Sequence, residues 1–568
     1  MAWPRIIRSV RERGTLRDLA AWLFLGTLVV APWLYGGTTS GSIEIINGML
    51  GVAFVLWAAS LLLDRRWPDA PRGLLIISGL ILLQGWWMVA NAHSIYDSTY
   101  RFFVPVRAIF RNGPGSVDYA LSLAWMLRAT ALLAVVCFTA ELTQRPVWLL
   151  RLWSAIALAG GSIALLGLIQ KGTGAHMIFW QLAAPSDTTT FFASYYYHAN
   201  AGAFLNLVLP LVAGLVLWAT LRQASPWARA ACLTALVLLV VAALSNTSRM
   251  AQAVGAMLVV AMIAAVARPA LQMIARVEKR TLLVALFVVI LTVLAVAQAV
   301  HLDQPLRRWQ SLSEQFPADA RWLANRAAVP AAGDAGWFGF GPGTFRAIFP
   351  HYQKRIANLD GAWRFLHDDY LQTILEWGWL GSAAIAVLFF GGIGMGVRSF
   401  FKRRDWSNRQ RILVGAAVLA LIGVALHALV DFPLQIMSIQ LFVATYLGIC
   451  WGSGEGGGQR TEAGGQRPER RWGAGRSQDM GYDGWQIESI IGRDGIESGD
   501  GRILNGLRSG RLCGRRPEST HFPAQPASPW ALFIGSGLWY RGGLPTHGRP
   551  LASRFRNVPV AGRKIVSA

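Results

Sequence analysis

The chain has 568 residues, of which 54% are hydrophobic and only 15% charged, and its mean hydropathy is +0.39. That composition belongs to a membrane protein rather than to a soluble enzyme. A formal net charge of +23 would suit a nucleic-acid binder, but the arginines cluster in alternate short loops between apolar runs, so no nucleic-acid partner is expected.

A helix needs roughly 20 apolar residues to cross a bilayer. About twelve stretches qualify, near 19–36, 43–63, 73–91, 119–140, 148–169, 199–220, 229–245, 250–266, 281–299, 377–397, 411–430 and 434–451. The predicted fold is therefore all-α and polytopic. Residues 1–18 carry Arg5, Arg8, Arg11, Arg13 and Arg17. Arg65 and Arg66 follow the second span, Arg268, Arg276, Lys279 and Arg280 the eighth, and Lys402, Arg403 and Arg404 the tenth. The intervening loops carry far fewer. Basic loops stay in the cytoplasm, which predicts a cytoplasmic N-terminus and, with an even span count, a cytoplasmic C-terminus. The first span has a basic flank like that of a signal peptide. It is long, however, and APWLYGGTTSG offers no small-x-small cleavage site, so it reads as a retained anchor. The four cysteines, Cys137, Cys232, Cys450 and Cys513, are scattered and imply neither a disulfide nor a metal framework.

Two long segments face outward. One spans about 170–198 and contains FFASYYYHANAGAF. The other, about 300–376, lies between spans nine and ten. Long connections in compact bundles are commonly functional, and the aromatics of the second (Trp309, Trp322, Trp337, Phe338, Phe345, Tyr352, Trp363) argue for a folded cap. After Trp451 the chain turns glycine- and arginine-rich without periodicity, and residues 452–568 read as a disordered tail with no assigned function.

Within the second outward segment, GWFGFGPGTFRAIF places glycines at 339, 341 and 343. This is not dinucleotide-binding spacing. It suits a tight turn of positive φ, or a turn that lets backbone approach a ligand. HDDYLQTILEWGWLG follows. Asp368 or Asp369 can cap a helix start, and Asp368, Gln372 and Glu376 share one helical face. That block reads as a cap with Tyr370 and Trp377 anchoring the interface, as a polar site, or as metal ligands, although neighbouring residues at one helix start converge poorly on a metal. Arg249, in ALSNTSRMAQ, sits between two apolar spans on the outward side. It either snorkels to headgroups or binds an anion. Arg321, Arg326 and Arg364 are further outward guanidinium groups suited to phosphate.

Taken together, these pieces resemble the O-antigen ligase and polymerase superfamily of membrane glycosyltransferases. They are the SR pair opening span eight, an arginine some eighteen residues before FGFGPGTF, the HDDYLQTILEWGWLG block, HANAGAFLNLVLP, and the late HALVDFPL (His427 to Leu434). The resemblance covers most of 20–451 and none of the tail. It implies about twelve helices with a large periplasmic loop in a bacterial inner membrane, and an undecaprenyl-diphosphate-linked glycan as donor. The acceptor would be lipid A-core in a ligase, or another lipid-linked glycan in a polymerase. It places Arg249 and Arg321 at the donor diphosphate and His367 as the catalytic residue. Asp368, Asp369 and Tyr370 fall beside it as acceptor-positioning residues. The family usually reads H-N-D-Y-L, so Asp368 here replaces an asparagine. Fixed guanidinium charge suits a diphosphate leaving group, and no outward D-x-D pair is present. Transfer without metal or cofactor is therefore expected, inverting if it is a single displacement. A ligase-type glycosyltransferase is the leading expectation, then a polymerase of the same family. A twelve-span transporter fits the span count, but no internal repeat is visible.

Overall fold

The computed structural model describes residues 3–97, 99, 102–181, 191–274, 280, 287, 309–310, 320–357, 359–403 and 406–454. All lie in the first of two compact units, Met1–Gln466. The predicted ninth span at 281–299 apart from residue 287, residues 300–308 and 311–319 of the long loop, and the tail from residue 455 onward fall outside the described residues.

The chain is all-α and polytopic, as predicted. The helices are α1 (Trp3–Trp33), α2 (Ser40–Asp64), α3 (Arg72–Ala90), α4 (Tyr119–Leu142), α5 (Pro146–Gly172), α6 (His198–Leu221), α7 (Pro226–Ser245), α8 (Arg249–Ile274), α9 (Ala320–Asp334), α10 (Phe345–Gln353), α11 (Asp369–Lys402), α12 (Asn408–His427) and α13 (Met437–Gly452). Among the described residues ten helices are long and apolar enough to cross a membrane. Outward-facing apolar side chains such as Val55 (69% exposed), Leu62 (77%) and Leu83 (69%) would be a liability in water and are the expected surface toward lipid.

Helix starts follow local chemistry. Asp118 caps α4 by accepting from the amides of Ala120 and Leu121 at 2.9 and 3.1 Å. Thr39 caps α2, and a reciprocal Ser407–Gln410 capping box opens α12. Each satisfies amides that the helix itself leaves unpaired. The short helix α13 is the centre of the bundle: every residue but Gln440 is buried, and it packs on α1, α4, α6, α11 and α12. Between α3 and α4 lies an antiparallel hairpin, β1 (Ser94–Asp97) with β2 (Phe102–Pro105), which the sequence reading did not predict.

The long segment before α11, expected to face outward, is folded where it is described. The alanine face of α9 (Ala324, Ala327, Ala328, Ala331) meets Phe345, Phe349 and Tyr352 of α10 in a second hydrophobic core that also takes Leu366 and Leu375. The tenth span was expected from 377. Its helix instead begins at Asp369 and kinks at Gly378 (φ +66). There the glycine turn docks: the amides of Phe340 and Gly341 donate to the carbonyls of Leu375 and Glu376 at 2.9 and 3.0 Å, and those of Trp379 and Leu380 donate back to Gly336 and Trp337. A Cβ on Gly339 would stand 2.4 Å from the Glu376 carbonyl oxygen. The glycines therefore serve close backbone packing against another helix.

Candidate active site

The site lies where α6, α9, α11 and the α12–α13 connection meet. Asp368 accepts from the amides of Tyr370 and Leu371, both at 3.0 Å, and so caps α11. The cap fixes His367 immediately before the helix. Asp369, 1% exposed, turns the other way. Its carboxylate accepts from the Leu434 amide at 2.8 Å and from the Gln435 side chain at 2.7 Å, while its own amide donates to the Ala428 carbonyl. These bonds staple the α12–α13 connection to the start of α11 and bring Asp431 to His367.

Asp431 is buried, and its Oδ1 lies 3.0 Å from His367 Nδ1. Its Oδ2 lies 4.0 Å from the Arg321 guanidinium and accepts from the Tyr197 hydroxyl at 3.4 Å. Arg321 in turn donates to that hydroxyl. Burial pushes the Asp431 carboxyl up, but the hydrogen bond and charge of His367 and the charge of Arg321 outweigh it. The group titrates below the ordinary carboxylate range. An ionised carboxylate only accepts, so the facing Nδ1 carries the proton. In the neutral ring Nε2 then keeps its lone pair. The imidazole is wedged between Trp363 and Phe432, at centroid distances of 5.8 and 4.8 Å, and Tyr197 stacks on Phe432 at 5.6 Å and 11°. Such packing locks the ring's orientation.

Arg249 is half-buried at the first residue of α8. It lies three residues after Asn246, whose side chain holds the His198 carbonyl at 2.8 Å beside Tyr197. Arg321 belongs to the Asp431 cluster. Arg326 is exposed on α9. The polar face predicted for α11 is engaged within the protein. Gln372 accepts from the Leu366 amide at 2.9 Å, and Glu376 accepts from the amides of Gly343 and Phe345 at the start of α10, at 3.0 and 3.3 Å. The Tyr370 hydroxyl donates to the Ala425 carbonyl at 2.9 Å. Of the residues expected beside the acceptor, Asp368, Asp369 and Tyr370 thus all bond to protein groups. His367, by contrast, lines a cavity of about 690 Å³ together with Tyr197, Trp363 and Phe432.

Asp431 and Tyr197 were not singled out from the sequence. Asp431 did leave a signal: it is a lone acid directly after an apolar span, where charge is costly unless used. Tyr197 sits in a run of three tyrosines and left none.

Residues 234–386 match the family model described as O-Antigen ligase. This bears out the resemblance read from the motifs and supports a function of the O-antigen ligase or polymerase kind. The match is a little over a quarter of the chain. It holds Arg249, Arg321, the glycine turn and His367, and ends before Asp431. No curated protein matches the sequence.

Proposed function

We propose that this protein is a ligase-type glycosyltransferase at the outer face of a bacterial inner membrane. It would move a glycan from an undecaprenyl-diphosphate carrier to a hydroxyl of lipid A-core. The observation that carries this is the His367–Asp431 pair, in which His367 lines a cavity and the Asp431 carboxylate is shared with Arg321, inside and beside the stretch that matches the ligase family. The acceptor oxygen attacks the anomeric carbon of the donor sugar and the bond from that carbon to the diphosphate oxygen breaks. The electron pair leaves on the diphosphate, and the hydroxyl proton passes to His367 Nε2. Asp431 holds the imidazole in the tautomer that can accept it and stabilises the imidazolium that forms. Arg249 and Arg321 meet the growing negative charge of the diphosphate, in the part a metal ion plays in other transferases. A single displacement inverts the anomeric configuration. The alternation of basic loops supports an outward catalytic side.

The test is a deletion strain complemented at matched protein level with wild type, His367→Ala, Arg249→Ala or Arg321→Ala. Loss of long glycan from lipid A-core, with lipid-linked polymer accumulating, is the expected result for the deletion and for all three variants. Single repeat units alone would identify a polymerase. A normal glycan ladder in the variants would refute the site.

A further inference from the structure

The cavity that His367 lines holds more positive charge than the transfer chemistry above uses. Neither Arg249 nor Arg321 lines it. Three other arginines do: Arg128 from α4, Arg346 from α10, and Arg364 from the segment leading to His367. Glu376 is the only acidic side chain among its lining residues, and that carboxylate is occupied by the amides that start α10. Arg128 stands nine residues into α4, about 13 Å of helical rise from its start, and is 4% exposed. Its guanidinium lies 4.6 Å from the centre of the Trp125 ring. It makes one hydrogen bond among the described residues, to the Gln435 carbonyl at 2.7 Å, and its buried Nε has no partner. Arg364 reaches the Thr38 carbonyl at 3.4 Å. Arg364 is exposed overall, but partial desolvation of its guanidinium lowers its pKa, and the nearby charge of Arg346 lowers it further. Three guanidinium groups held around one space repel one another, and a charged group inside a span is costly unless it has a use. An anion in the cavity would relieve both costs. Arginine favours planar, bidentate contacts with phosphate or carboxylate oxygens.

We propose that Arg128, Arg346 and Arg364 form an anion site that seats a phosphoryl or carboxylate substituent of the sugar chain presenting the attacking hydroxyl. The assignment to the acceptor rests on the function proposed above, because the acceptor must reach His367 and this cavity is the space that His367 lines. The cluster is separate from the guanidinium groups given to the donor diphosphate. The enzyme would therefore discriminate in favour of charged acceptors over neutral ones of the same shape.

The experiment uses the full chain in nanodiscs of phosphatidylcholine. The unfolding midpoint is followed while glucose 6-phosphate, glucuronate, glucose or short-chain phosphatidic acid is titrated in. Both anionic sugars should raise the midpoint in a saturable way and glucose should not. Arg346→Gln and Arg364→Gln, both at exposed positions where folding is safe, should each weaken anionic-sugar binding about tenfold, the loss of one charge-assisted hydrogen bond. Equal effects of glucose and the anionic sugars, or binding unchanged in both variants, overturns the proposal. A response to phosphatidic acid alone, lost in the same variants, assigns the site to a lipid headgroup and overturns its place on the acceptor. His367→Ala should keep the anion response while losing transfer. Normal transfer in that variant would refute the catalytic reading and leave the anion site standing.

Discussion

Replacing Asp431 by asparagine tests the site most directly, because the change keeps shape while removing the charge and one acceptor oxygen. Besides the 3.4 Å acceptance from the Tyr197 hydroxyl, two charge interactions are affected. The contact to Arg321 is long, at 4.0 Å, and that arginine's side chain is 42% exposed, so solvent screens it to under about 1 kcal/mol. The contact to His367 is 3.0 Å between side chains that are 14% and 2% exposed. A hydrogen bond to a charged group in such surroundings contributes about 1.5–3 kcal/mol. Most of that is needed only when the imidazole takes a proton. Asp431→Asn should therefore lower the transfer rate about 10–100-fold while shifting the acceptor KM little. Single-turnover transfer from a lipid-linked donor, with folding checked by the unfolding midpoint, measures it. A merely structural role would lower the unfolding midpoint without changing the pH–rate profile, whereas an orienting role must change that profile, since the group that stabilises the imidazolium is gone. A rate within about twofold of wild type with an unaltered profile would refute the assignment of Asp431.

The same carboxylate sets an acid limit. Its folded pKa is depressed, so its contribution to stability is complete above the unfolded value of about 3.9 and is lost as pH falls through the lower folded value. The unfolding midpoint should drop below about pH 4 in wild type and drop less in Asp431→Asn, and equal acid sensitivity of the two would count against the pair. At Asp368, burial pushes the carboxyl up, so its charge at neutral pH opposes folding. Asparagine caps as well as aspartate, and Asp368→Asn should leave stability equal or slightly higher and transfer within about twofold, whereas Asp368→Ala should cost about 1 kcal/mol. A large activity loss in the asparagine variant would return Asp368 to the acceptor. Gly339→Ala, at φ +77 and 2.4 Å from the Glu376 carbonyl oxygen, should cost at least about 1–3 kcal/mol in strain alone. Gly333→Ala, in open space on α9, should be neutral, and equal midpoints for the two would refute the account of the docked turn.

The spans were legible because lipid imposes length and apolarity on them. The predicted limits of 119–140 and 199–220 meet helices at Tyr119–Leu142 and His198–Leu221. The eight-residue difference at the start of α11 has a physical cause. Its first two turns pack on the α9–α10 segment and carry polar residues, so hydropathy placed the start at 377 although the cap signal at Asp368 was visible. His367 was found because it stands in a short motif. Asp431 lies 64 residues further on, and nothing local ties the two. Their pairing depends on the Asp369 staple, which is a tertiary fact. Arg128 could have been flagged by the rule that charge inside a span has a use. Its convergence with Arg346 and Arg364, from two other segments, could not.

The start of α11 combines three tasks in three consecutive residues, and this governs how substitutions there must be interpreted. His367 faces the cavity, Asp368 holds the helix end, and Asp369 holds the segment that carries Asp431. Asp369→Ala would leave the Leu434 amide and the buried Gln435 side chain without their acceptor. It would also release Asp431 from His367, and Gln435 carries the carbonyl that Arg128 uses. Such a variant should be inactive although Asp369 does not line the cavity. Activity loss alone therefore assigns no chemistry in this block. His367 is separable from Asp369 by stability: His367→Asn keeps a side-chain N–H that can donate to the buried Asp431 carboxylate and should move the unfolding midpoint little, whereas Asp369→Ala should lower it, since unsatisfied buried polar groups cost about 1–3 kcal/mol each. Equal midpoints for the two inactive variants would mean that the staple does not hold the site together.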